Sequence, residues 1–178
     1  MLPKYWDFTL VCILFSLAKV IRTLEAMFLN MQEPTIRVAT KEDARAIENM
    51  ISEWAQEQWP NWQVERVKTI LRVLEDKNHL ILVSTSPKGI VGVLHLIFYP
   101  DVVTGSLNCH LNFLLVKKEY RKGGIGRSLL DEAVKHAKRR RANEMHVDTI
   151  FEDAAHFYLN YGFKDDGVWL ELSLRERE

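Results

Sequence analysis

A chain of 178 residues with 47% hydrophobic content can bury one full core without disulfide or metal staples. Its 24 basic and 24 acidic side chains cancel, which removes any overall field favouring nucleic acid or a membrane surface as partner. Two cysteines, Cys12 and Cys109, exclude a disulfide framework and fit a reducing, cytoplasmic setting.

The chain opens on an unusual segment. Phe8 to Ile21 is almost wholly apolar, with Lys4 before it and Lys19 and Arg22 at its end. At fourteen residues it falls short of the roughly 20 that a bilayer span needs. It has no small-residue cleavage site, and Asp7 spoils the basic leader of a secretory signal. Three readings stay open. It is an interfacial anchor or weak membrane segment, an extra helix packing on the domain or on a second subunit of a homodimer, or upstream sequence outside the natural product, since Met31 stands just before the first domain strand. The last two together are preferred to membrane association. Residues 1–34 are therefore set apart as an apolar extension, and 35–178 are read as the domain.

Within the domain, Thr35 to Ala39 alternates as a strand does. Thr40 with Asp43 forms a capping box that opens a helix over Lys41 to Gln58, with a stripe of Ala44, Ala46, Ile47, Met50, Ile51 and Trp54. Gln58-Trp59-Pro60-Asn61-Trp62 breaks it, and Val67, Ile70, Leu71 and Leu74 mark a second helix over Val64 to Asp76. Leu80–Thr85 and Ile90–Tyr99 flank Ser86-Pro87-Lys88-Gly89, a hairpin signal, and a turn at Pro100–Gly105 leads to a strand over Leu107–Lys117. After a glycine-rich loop, Leu129, Leu130, Ala133, Val134 and Ala137 give a helix. A strand over Met145–Ile150, a helix around Tyr158 and a closing hairpin over Lys164–Leu174, turning at Asp165-Asp166-Gly167, complete the chain.

The loop carries the chemistry. Arg121-Lys122-Gly123-Gly124-Ile125-Gly126 lies between an apolar strand, Phe113 to Val116, and a helix start. Missing Cβ atoms let the backbone come close, N–H groups converge, and the helix dipole adds positive charge, which together suit a phosphate. A nucleoside-triphosphate loop needs G-x-x-x-x-G-K-S/T, which is absent. A dinucleotide fingerprint fails because Leu129 stands at its last glycine. The pattern that fits is R/Q-x-x-G-x-G/A, on Arg121, Gly124 and Gly126. Downstream, Ala154-Ala155-His156-Phe157-Tyr158-Leu159-Asn160-Tyr161-Gly162-Phe163 fits A-x-x-F-Y-x-x-x-G-F. In this order and spacing the two motifs resemble the coenzyme A loop and the tyrosine helix of the GNAT acetyltransferase superfamily, over roughly Thr35 to Leu174.

The resemblance implies an α+β (mixed α/β) GNAT-like acyl-CoA N-acyltransferase fold, with a mainly antiparallel sheet of about six or seven strands and helices on both faces. It implies acetyl-CoA as co-substrate, no metal, and direct attack by an amine acceptor, small molecule or protein, in a ternary complex. Leu114, Leu115 and Val116 would pair with the pantetheine arm, a backbone N–H there (that of Val116) would polarise the thioester carbonyl, and Arg121, Lys122, Gly123, Gly124, Ile125, Gly126 and Arg127 would hold the pyrophosphate. Tyr158 would be the general acid toward sulfur, since a phenol is protonated at neutral pH. Trp59 and Trp62 would wall the acceptor, or else cover the core edge.

The chain departs from the family pattern at the base. Where relatives carry strand carboxylates it has Asn112 and Phe113, so His110, with Asp148 or Glu57 acting through water, is left as the candidate without commitment. Phe151 replaces an asparagine that in relatives contacts the cofactor. Lys138-Arg139-Arg140-Arg141 reads as helix-end solvation rather than nucleic-acid binding, Cys109 as a half-buried strand residue, and the six histidines show no metal spacing. An N-acetyltransferase is the leading function, and a non-catalytic acyl-CoA-binding module the alternative.

Overall fold

A computed structural model gives the fold, describing residues 19–21, 34–61, 64–165 and 167. The N-terminal extension, Trp62 and most of the expected closing hairpin lie outside the described residues. Among the described residues five strands form one sheet in sequence order: β1 (Thr35–Val38), β2 (His79–Ser86), β3 (Gly89–Asp101), β4 (Ser106–Val116) and β5 (Ala142–Val147). The first four pair antiparallel, and β4 with β5 runs parallel. The helices are α1 (Ala44–Gln58), α2 (Val67–Glu75), α3 (Ile125–Arg139) and α4 (Glu152–Tyr161), with short 3-10 turns at Lys41–Asp43 and Lys118–Tyr120. Among the described residues no helix is long and apolar enough to cross a membrane.

The central strands carry apolar runs, Leu80–Val83 on β2 and Phe113–Val116 on β4, because both faces are covered. Successive side chains of a strand point to opposite faces. Leu80 and Leu82 therefore join one core with Leu94, Leu96, Leu129 and Leu130 beneath α3. Ile81 and Val83 join the other with Ile47, Met50, Ile70 and Val93 beneath α1 and α2. Helices thus occupy both faces, as expected from the element order. Ala46 does not belong to the α1 stripe: it is exposed, whereas Ala55 and Glu48 are buried. Glu48 bears on why α2 begins at Val67 rather than Val64, since its Oε1 accepts the amide of Arg66, the N-cap residue, at 3.2 Å.

The strand over 145–150 is shifted to Ala142–Val147. The α3 helix stops at Arg139, Arg141 turns through a positive φ of 59°, and Ala142 already faces Leu107. Cys109 is fully buried rather than half-buried, and burial pushes its thiol up to about 11. The basic run is not solvation alone. Arg140 stacks over Phe98 at 4.3 Å and donates to the Lys77 carbonyl at 2.7 Å.

One ion pair ties β1 to the start of α1. Arg37 donates from both Nη atoms to Asp43, at 2.6 and 2.8 Å, while Asp43 Oδ2 accepts the Thr40 amide at 2.8 Å. The Arg37 hydrogen bonds hold the carboxyl down at about 2. A depressed carboxyl contributes stability above its unfolded value, near pH ~4, and loses it as pH falls through about 2. Asp43→Asn should therefore cost about 1–3 kcal/mol at pH 7, with the difference from wild type shrinking below pH ~4, as read by urea unfolding at several pH values.

Candidate active site

The α3 helix comes so close to the sheet because β3 has no side chain beneath it at Gly92. A Cβ there would lie 2.9 Å from Leu129 Cδ1, 3.1 Å from Ile125 Cγ2 and 3.3 Å from Ser84 Cβ. Gly92 also faces Val116 across the β3–β4 ladder, so one position sets how the last residue of β4 meets the first turn of α3.

Between them runs the glycine-rich loop. Gly124 caps α3 with φ +84°, a left-handed conformation that costs other residues roughly 1–2 kcal/mol. The first helical bond is Ser128 N–H to the Gly124 carbonyl, 3.0 Å. Amides from Lys122 to Arg127 have no acceptor among the described residues. Five cations against one carboxylate crowd residues 117–127. Converging amides, a helix N-terminus and this charge make the loop chemically suited to a diphosphate.

The geometry of β4 supplies a second feature. Its pairing with β5 ends at Leu111 opposite Val147, yet β4 continues to Val116. Beyond that point the strand's edge has no partner among the described residues. The Lys117 amide donates to the Val91 carbonyl on β3 at 2.9 Å, so the N–H and C=O of Val116 point the other way, onto the open edge. Arg121 Nε takes the Val116 carbonyl there, at 3.0 Å, which leaves the Val116 N–H facing outward. Leu114 projects toward the loop, its Cδ2 being 3.5 Å from where a Cβ on Gly126 would stand; Leu115 packs on the α1–α2 side. Of the expected loop residues, Arg121 is thus bound to the strand end through Nε, and Arg127 lies over the Tyr161 ring at 5.3 Å.

Tyr158 enters from α4, which Gly162 closes at φ +123°. Its ring packs edge-on against Phe157 at 5.3 Å and Phe163 at 5.5 Å and is buried. Burial, and then the charge of Asp148, push its hydroxyl up to about 12. Asp148 Oδ1 in turn lies 2.8 Å from His110 Nε2. Asp148 thus acts electrostatically on the acid candidate and lies beside the base candidate. Glu57 has no such link.

Other contacts were not foreseen in the sequence. Trp59 meets Trp54 edge-on at 5.4 Å, and Trp54 meets Phe151 at 6.1 Å, so Phe151 closes an aromatic cluster across from α1. Its appearance in place of the family's asparagine was the one visible signal. His95, on β3, is buried and hydrogen-bonded to His79 and Asn112, and no local pattern could reveal that chain. Among the described residues no group of three or more His, Cys, Asp or Glu is placed to hold a metal ion.

The candidate site is thus framed by a mainly antiparallel sheet whose parallel strand pair parts beside an amide-rich loop. The profile of the acetyltransferase (GNAT) family matches residues 45–163, and the chain belongs to that family. No curated protein matches the chain significantly. Among solved structures it is similar to a transcriptional regulator from Bacillus halodurans C-125, at 26% identity and TM-score 0.71, over 79% of this chain and 99% of that one. It also resembles an aminoglycoside acetyltransferase from an uncultured soil metagenomic sample, in complex with sisomicin, at 16% identity and TM-score 0.70, over 80% and 97%. A third is a ribosomal-protein-alanine N-acetyltransferase from Brucella melitensis biovar Abortus 2308, at 19% identity and TM-score 0.66, over 81% and 99%.

Gly92→Ala tests the close approach of α3. It should cost about 1–3 kcal/mol in chemical denaturation, because Leu129 and Ile125 must yield.

Proposed function

We propose that the domain, residues 35–178, transfers the acetyl group of acetyl-CoA to a primary amine by direct attack in a ternary complex. The observation that carries this reading is the adjacency of an outward-facing strand edge, Val116, to a loop of unbonded amides, Lys122 to Arg127. A pantetheine arm would lie along the first as an added strand, and its diphosphate would meet the second.

Once amine and thioester are held together, much of the barrier to attack is removed by proximity. The ammonium must first lose a proton, and His110 is assigned that role. With Nε2 beside Asp148 Oδ1 at 2.8 Å, the ring in this reading keeps its proton on that side and uses the Nδ1 lone pair to accept. As the amine nitrogen bonds the carbonyl carbon, charge grows on the carbonyl oxygen, and the Val116 N–H is the donor aimed at that edge. The carbon–sulfur bond then breaks, and Tyr158 donates its proton to the departing sulfur. A hydroxyl pushed up to about 12 stays protonated throughout the neutral range, as an acid must. The products are an N-acetyl amide and coenzyme A.

Thiol release from acetyl-CoA over an amine panel is the direct test, and its absence with every amine despite acetyl-CoA binding would overturn catalysis. In Tyr158→Phe, turnover should fall by about 10²-fold or more while acetyl-CoA affinity by calorimetry is unchanged. His110→Gln should lower turnover on the acceptor amine by a similar factor, about 10²-fold. Asp148→Asn should move the acid limb of the pH–rate profile; an unmoved limb would remove the His110–Asp148 pair from the proton path.

A further inference from the structure

The residue that stands where β4 and β5 part is Asn112. Phe113 faces His95 and Leu111 faces Leu96, so Asn112 has no partner on β3 and is the extra residue of a β-bulge. It follows Leu111, the last β4 residue paired with β5, and lies two positions from His110. The bulge turns its side chain to the α1–α2 side, where Nδ2 donates to His95 Nδ1 at 3.1 Å.

His95 does not end the chain. Its Nε2 lies 2.8 Å from His79 Nδ1. The ring planes differ by 17° and the centroids are 5.1 Å apart, so the imidazoles lie edge to edge in one plane, as an N–H···N bond requires. His79 Nε2 points in turn toward Asp76 Oδ2, at 3.8 Å. These partners set the protons. With Nδ1 of His95 accepting from Asn112, its proton sits on Nε2 and is donated to His79, whose own proton sits on Nε2, toward the carboxylate. The reverse order with neutral rings would set a lone pair against Asp76. His95 is buried and, chiefly through burial, held down at about 4, so it stays a neutral link.

With Nδ2 engaged, Asn112 is an exposed residue whose Oδ1 has no partner among the described residues. We infer that Asn112 Oδ1 receives an N–H of the acceptor amine beside His110, and that His95 and His79 are positioning residues holding the amide with its oxygen outward. A positively charged or neutral amine is favoured there, and an acceptor offering only a lone pair is not. The inference rests on the acetyl-transfer reading.

The test uses the full chain, labelled with nitrogen-15 and saturated with coenzyme A. Long-range proton–nitrogen spectra should show Nε2–H on both His79 and His95; a proton on His95 Nδ1 would reverse the chain, turn Nδ2 outward and overturn the inference. n-Butylammonium chloride should shift the Asn112 side-chain amide saturably, with n-butanol as control. Butylammonium affinity should fall about tenfold in Asn112→Leu and in His95→Phe and recover to within about twofold in His95→Gln, whose amide can bridge the same partners. Coenzyme A affinity should stay constant in all three. An unmoved Asn112 resonance, or equal butylammonium affinity in wild type and both disrupting variants, sinks the inference while coenzyme A binding stands. Failure of coenzyme A to bind instead removes the acetyl-transfer reading, and this inference with it.

Discussion

The arrangement depends on β4 having two different neighbours along its length. Up to Leu111 its outer edge is hydrogen-bonded to β5, and from Asn112 onward that edge has no partner among the described residues. A parallel pair cannot simply stop without exposing backbone donors and acceptors, and leaving them unsatisfied when buried is costly. Here the bulge at Asn112 marks the change, and Arg121 satisfies one exposed carbonyl, that of Val116. What is left, chiefly the Val116 amide, faces outward.

The groups around that opening are tuned by burial in different directions. Tyr158 and His95 are both buried, and the same desolvation raises a phenol and lowers an imidazole, so both are kept uncharged. The Asp148 carboxylate reinforces the first shift and also binds His110. Charge is concentrated instead in the loop, where Lys117, Lys118, Arg121, Lys122 and Arg127 stand close together in a chain of zero formal charge. A neutral total therefore conceals a local concentration of positive charge.

Much of this was legible locally. Capping at Thr40–Asp43, the hairpin at Pro87-Lys88, the glycine stop at Gly162 and the apolar stripes depend on neighbours within a few residues, and the elements fall where those signals lie. Ala46 misled because alanine fits either face of a helix. Cys109 misled because alternation does not reveal that β4 is covered by both α3 and β5. The start of α2 depended on Glu48, eighteen residues before Arg66, beyond the reach of any local pattern.

By itself, then, the order of residues determined the family, the loop and the tyrosine helix, because glycine spacing and helix periodicity are properties of short stretches of backbone. Only the tertiary structure decided which side chains meet. His110 reaches Asp148 from a different element, His79 and His95 join across two strands to Asn112, and Phe151 comes to lie against Trp54. Such pairings follow from strand register and from where β5 ends, which are set by how two cores pack on opposite faces of one sheet.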